Sequence, residues 1–161
     1  MLMWPLGLGI AGAAFLADQL TKHLVLANAA AILPAVPIVP GLNLVLVRNT
    51  GVTFGFLADL PAWTLAAFAG AVVIWLAVWL RRSGSPLTSV TLGLMIGGAL
   101  GNTLDRVRFA GVTDFIDVYL GRYHWPAFNL ADVAIVSGVL LLVAQSLLRS
   151  SPATDDAVGG R

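Results

Sequence analysis

Four apolar runs dominate this chain, and each is long enough, or nearly so, to cross a bilayer. A transmembrane helix needs about 20 mainly apolar residues. The runs cover about residues 2–26, 62–80, 87–104 and 126–148. Across the 161 residues 58% are hydrophobic and only 11% charged, against roughly 25% charged in soluble domains. Such a chain cannot bury all of its apolar surface inside itself. The expected architecture is therefore a mainly α membrane protein with four transmembrane helices. Residues 1–149 form a single integral membrane domain, and 150–161 form a polar C-terminal tail with the composition of a disordered segment.

The connections refine this picture. Between the first two runs, Leu33–Gly41 carries three prolines, and Leu42–Asn49 is rich in Leu and Val and leads into an Asn-Thr-Gly turn signal. Proline removes helix as an option, so short strands and a small extracytoplasmic sheet are expected. The connection between the third and fourth runs, Asp105–Trp125, is also long, whereas Arg81–Pro86 is short. With four spans, the two long connections share one side and both termini the other. Arg81, Arg82 and Arg149 mark one side and Lys22, Arg48, Arg106, Arg108 and Arg122 the other. Because Lys22, Arg106 and Arg108 lie close to aspartates and can be spent on pairing, the positive-inside rule is read as putting Arg81 and Arg82, and with them both termini, in the cytoplasm. The first run is expected to be retained as a helix. A secretory signal begins with basic residues and has an unbroken apolar centre. Here no Lys or Arg precedes the run, and Asp18 and Lys22 interrupt it before the Ala27-Asn28-Ala29 stretch.

Against this apolar background the acids stand out. All eight are Asp. Asp132 lies in the fourth run with no Lys or Arg within seven residues on either side. A charged side chain at a helix centre in a membrane costs about 2.5–3.5 kcal/mol or more, so it marks a functional site by default. If the helix begins at Pro126, Asp132 sits about 9 Å along it. The other acids sort by available partners. Asp18 and Lys22 have ion-pair spacing on one helix face. Asp105 has Arg106 and Arg108 beside it, Asp59 precedes Pro61 as a potential cap, and Asp155 and Asp156 lie in the tail. Asp114 and Asp117 remain as partners for Asp132. Their spacing of three would put them on one face of a helical turn, and spacing does not choose between them.

Two carboxylates in a low-dielectric site cannot both ionise easily, so one is ionised and the other protonated near neutral pH. That pair can activate a water and polarise a carbonyl. The plain alternative is lone buried aspartates bonded to backbone or Asn. Competing chemistries find little support. Cysteine is absent, which removes thiol nucleophiles, disulfides and thiolate metal sites, and the chain cannot itself be lipid-modified on a cysteine. His23 and His124 lack metal-ligand spacing, and no zinc-protease, serine-hydrolase, P-loop or Rossmann motif occurs. The net charge of +1 gives no reason to expect nucleic acid as a partner. Gly93, Gly97 and Gly101 recur every four residues on the third run, a pattern that lets helices approach closely. They are read first as packing, with a face left open to another helix as the alternative.

Five motifs appear in one order: Asp18-Gln19-Leu20-Thr21-Lys22; Arg48-Asn49-Thr50-Gly51-Val52-Thr53-Phe54-Gly55; Gly97 to Arg106 with Asn102 and Asp105; Val112-Thr113-Asp114-Phe115-Ile116-Asp117; and Phe128-Asn129-Leu130-Ala131-Asp132. Together they resemble the lipoprotein signal peptidase (signal peptidase II) family over nearly the whole chain. One departure is Thr53, where the family commonly has Ala. The resemblance implies a metal-independent aspartyl endopeptidase of the bacterial inner membrane, without cofactor, whose catalytic pair is Asp114 and Asp132. It implies supporting or substrate-binding roles for Asp18, Lys22, Asn49, Gly51, Asn102, Asp105, Arg106 and Asn129. It further implies diacylglyceryl-modified prolipoproteins as substrates, cut just before the lipidated cysteine near the outer face. A short surface helix, contact with membrane lipids and inhibition by globomycin-type compounds are also implied. Two rivals are a small transporter relaying protons through Asp18, Asp105 and Asp132, and a non-catalytic membrane scaffold.

Overall fold

The computed structural model describes residues 3–51 and 61–150. Thr53 and Asp59 lie outside the described residues, as do Val52–Gly55 of the second motif and most of the C-terminal tail. Among the described residues, five helices and four strands follow in the order α1 (Trp4–Ala27), α2 (Ala29–Ile32), β1 (Val36–Val39), β2 (Leu42–Asn49), α3 (Ala62–Arg82), α4 (Pro86–Phe109), β3 (Val112–Leu120), β4 (Tyr123–His124) and α5 (Leu130–Ser150). Three of the helices, at Ala62–Arg82, Pro86–Phe109 and Leu130–Leu148, are long and apolar enough to cross a membrane. The 24-residue α1 is about 36 Å long at 1.5 Å per residue. Asp18, Gln19, Lys22 and His23 make its second half much more polar than the other three.

Local chemistry sets the helix ends. Pro86 occupies the first turn of α4, where its missing N–H costs nothing, and the Ser85 side chain accepts the Thr88 N–H at 3.4 Å. Arg81 and Arg82 close α3, where cations oppose the negative end of the helix dipole. Two expected boundaries shift. Helix α4 continues through Asp105 and Arg106 to Phe109. Helix α5 starts at Leu130 rather than Pro126, so Asp132 lies in its first turn and not some 9 Å along it. Pro126 belongs to the stretch that leads in from β4.

Helix α4 is the centre of the bundle and packs against α1, α3 and α5. Its small residues make this possible. A Cβ at Gly97 would collide with the Ala11 carbonyl and Ala14 of α1, and one at Gly98 with the Ala131 carbonyl of α5. The glycine face is therefore filled by α1, as the packing reading expects, and is not left open to another helix. Leu76 and Leu80 of α3, Leu92 and Ile96 of α4 and Ala11 of α1 form the buried apolar centre.

The two long connections meet in one antiparallel sheet of order β1-β2-β3-β4. The β2–β3 pairing, from Leu42↔Val118 to Asn49↔Val112, joins the segment after α1 to the segment after α4. Val25, Ile32 and Phe115, flanked by Leu44, Leu46 and Ile116, seal the sheet against the end of α1. Asp114 and Asp117 are thus on a strand, not on a helical turn. Three residues along a strand span about 10 Å, so the two aspartates do not share a site.

Candidate active site

The start of α5 organises the site. Asn129 is the residue before the helix, and its side-chain oxygen accepts the Asp132 N–H at 3.0 Å. In return, the Asp132 carboxylate accepts the Asn129 N–H at 3.1 Å. This reciprocal pair is a capping box, which satisfies two N–H groups that the first turn leaves free. Asp132 is held there for a local reason, and the positive end of the helix dipole favours its charge.

Asn129 also bridges to Asp114. With its oxygen committed to the cap, its amide nitrogen donates to Asp114 Oδ1 at 2.6 Å and to Asn102 Oδ1 at 3.2 Å. Asn102, on α4, donates to the second oxygen of Asp132 at 2.8 Å. Asn49, at the end of β2, donates to Asp114 Oδ2 at 2.9 Å. Each oxygen of the two carboxylates therefore has one N–H donor. Asn129 and Asp114 are essentially buried. Burial pushes the Asp114 carboxyl up to about 6; the nearby Asp132 charge adds to the rise, while the bonds from Asn49 and Asn129 and the Lys22 charge oppose it.

The remaining residues implied by the sequence resemblance join the same network. Asn49 Oδ1 accepts the Gly51 N–H at 3.0 Å, and the Arg106 guanidinium donates to the Gly51 carbonyl at 3.0 Å and the Asn102 carbonyl at 3.3 Å. Among the described residues, Arg106 Nε is the buried side-chain polar atom left without a hydrogen-bond partner. The Lys22 ammonium lies 2.9 Å from Asp18 and 3.3 Å from Asp105. Asp18 accepts the Ala131 N–H at 3.0 Å, satisfying another free donor of α5 from a different helix. Asp105 pairs with Lys22 and not with the arginines next to it in sequence, and it accepts the Thr113 N–H at 3.0 Å, holding the turn into β3. Gln19 ties Asp18 to Asp105, at 3.1 and 3.3 Å.

Asp117 lies outside this network. It accepts from Asn43 at 2.8 Å and contacts His124 Nδ1 at 2.9 Å. Burial works to raise its carboxyl, but these two partners outweigh it and hold it below the ordinary carboxylate range.

Asp114 and Asp132 both line a cavity of about 610 Å³, with Asn49, Asn102 and Arg106 among its polar residues. Its apolar wall comes from Ala69 of α3, Ala99 of α4, Val133, Ile135 and Val136 of α5, and Trp125 to Phe128 before α5. Two neighbouring carboxylates facing an apolar chamber, one of them raised by burial, are suited to proton transfer on an apolar-flanked substrate. No group of three or more His or Asp side chains among the described residues is placed to hold a metal ion.

The sequence contained one unread signal. Asn129-x-x-Asp132 ahead of an apolar run is the pattern of a capped helix start, and it both fixes the boundary and explains Asp132. The Lys22–Asn102 contact, at 2.9 Å across 80 residues, left no comparable trace.

Comparison with known proteins shows what the chain as a whole is similar to. The family model described as signal peptidase (SPase) II matches residues 10–148. A lipoprotein signal peptidase from Cupriavidus taiwanensis is 45% identical over 119 residues, covering 70% of this chain and 66% of that protein. One from Shewanella sp. (strain MR-4) is 43% identical over 148 residues, covering 88% and 85%. Among solved structures, a bacterial membrane enzyme determined by the in meso method at 2.3 Å superposes with a TM-score of 0.82 at 29% identity, covering 95% of this chain and 94% of that one.

Proposed function

The chain belongs to the signal peptidase II family, and from that membership and the site geometry we propose that Asp114 and Asp132 are the catalytic pair of an aspartyl peptidase. The family places the protein among membrane peptidases of lipoprotein processing, which remove signal peptides from prolipoproteins. The observation that carries the aspartyl assignment is Asn129, whose one side chain and backbone N–H contact both carboxylates.

In the proposed reaction Asp132 is the ionised member. Unlike Asp114, it sits at a helix N-terminus, whose positive end favours a negative charge. It takes a proton from a water that attacks the scissile carbonyl. Asp114 is the acid: its carboxyl is already raised to about 6, and a substrate that displaces water from the cavity raises it further. It donates its proton to the carbonyl oxygen as the tetrahedral intermediate forms. The proton gained by Asp132 then passes to the amine nitrogen as the C–N bond breaks, and a hydroxyl proton of the collapsing gem-diol returns to Asp114, which leaves the product acid and restores the pair. Arg106 lines the cavity beside the pair and brings a positive charge close to both carboxylates. The pair titrates as a unit, so its pH limbs belong to both groups.

The substrate class proposed is a diacylglyceryl-modified prolipoprotein, cut just before the lipidated cysteine without a metal. The apolar cavity wall supports this, since it can take acyl chains or the end of an apolar signal helix. We place α1 as a fourth span in the inner membrane, with both termini cytoplasmic and the sheet near the outer face, where globomycin-type inhibitors would occupy the same cavity. Cleavage of a diacylglyceryl-modified prolipoprotein by the wild type and by Asp114→Asn, Asp132→Asn and Asp117→Asn tests the assignment. The first two variants are expected to leave precursor uncut, and Asp117→Asn to retain cleavage. Full cleavage by Asp132→Asn refutes the pair, and loss of wild-type activity on adding a chelator refutes metal independence.

A further inference from the structure

Lys22 is 2% exposed, on α1, and its ammonium has three acceptors. Two are the carboxylates of Asp18 and Asp105. The third is Asn102 Oδ1 at 2.9 Å, and a lysine needed only to neutralise Asp18 would not require it. Asn102 is an amide with two distinguishable ends. Its oxygen receives the Lys22 ammonium and the Asn129 amide nitrogen, and its nitrogen donates to Asp132 Oδ1. Turning that amide over would set its NH2 group against two other donors and its oxygen against a carboxylate, so every contact would become repulsive. The ammonium is the charged, and hence the stronger, of the two groups holding the oxygen.

We infer that Lys22 is a positioning residue for Asp132: by holding the Asn102 oxygen, it fixes the amide orientation that presents an N–H to the Asp132 carboxylate. Resting on the Asp114–Asp132 reading, this gives the buried charge on α1 a task in the reaction on α5, with Asn102 of α4 as the connection. Lys22 itself touches neither carboxylate of the pair.

The test is a double-mutant cycle on kcat and KM with pH profiles, using Lys22→Met, Asn102→Ala and the double variant in the full-length protein, each checked by thermal melting. In the native background Lys22→Met is expected to lower kcat about tenfold with little change in KM. Its acid limb moves to higher pH, because removing a nearby positive charge makes the carboxylates harder to ionise. In the Asn102→Ala background the same substitution is expected to cost less than about twofold, since the connection is already cut. An equal kcat loss in both backgrounds, or an unmoved acid limb, overturns the inference. If Lys22→Met does not fold, Asn102→Asp decides. It keeps the Lys22 contact and has no N–H for Asp132, so kcat falls about a hundredfold, and near-native kcat overturns the inference. Asp132→Asn is assayed alongside: activity there sinks the catalytic pair itself, whereas its inactivity together with a failed cycle sinks only the role of Lys22.

Discussion

Asn129 performs two separable tasks, and a pair of substitutions divides them. Asn129→Ala removes the cap acceptor for the Asp132 N–H at 3.0 Å and the donor to Asp114 at 2.6 Å. Loss of an N-cap costs about 0.5–2 kcal/mol. Loss of a hydrogen bond to a charged group costs about 1.5–3 kcal/mol. Because the residue is fully buried, little water can compensate, and a combined loss of about 2–5 kcal/mol is expected. Asn129→Ser keeps a competent cap, since serine ranks with asparagine at that position, but lacks an amide to reach Asp114. Its stability loss is therefore limited to about 1.5–3 kcal/mol. The bond from Asn129 is one of the contributions that oppose the rise of Asp114, so its loss moves the Asp114 carboxyl above about 6. The readouts are thermal melting in detergent and the pH profile of kcat/KM on a lipid-modified prolipoprotein. Both variants are expected to shift the acid limb to higher pH, and only Asn129→Ala to add the cap loss. Equal destabilisation by the two, or a wild-type pH profile in Asn129→Ser, would refute the division of roles.

Three further outcomes follow from the same geometry. The Asp114 carboxyl is raised from 3.8 to about 6, so its folded form holds a proton more tightly than the unfolded chain does. Its contribution to stability is therefore fully present below about pH 3.8 and is lost as pH rises through about 6, by at most about 3 kcal/mol. Asp114→Asn should flatten the melting temperature across that window, and an unchanged slope would contradict it. A Cβ at Gly101 would collide with the Asp18 carboxylate, whereas Gly12 has open space around it; Gly101→Ala should sharply reduce folded yield and activity, and Gly12→Ala should not, as size-exclusion profiles would report. His124→Ala removes a contact to Asp117 beside a half-exposed ring, so it should cost no more than about 1 kcal/mol and leave cleavage intact; complete inactivation would show that this cluster serves the reaction.

The sequence by itself determined a great deal here, because membrane folding leaves strong marks in it. Long apolar runs cannot be hidden in a chain this small, and an unpaired acid within one is too costly to keep without use. These two facts gave the helices and singled out Asp132, while the prolines of Leu33–Gly41 and the Leu- and Val-rich stretch after them gave the strands. The motif order then named the residues that the structure draws into a single hydrogen-bonded network. What the tertiary structure decided depends on contacts between distant segments, for which local spacing carries no information. Spacing put Asp114 and Asp117 on one helical face; pairing with β2 made that stretch a strand, so only Asp114 reaches Asn129. The acids Asp18 and Asp105 looked like locally paired charges. Only the packing of α1 and α5 against the glycines of α4 brings Asp18 to the backbone of Ala131, and Lys22 to Asn102. The apolar pattern dictates that helices form and which surfaces they bury, whereas the direction of each amide is settled only when three helices and a strand close around it.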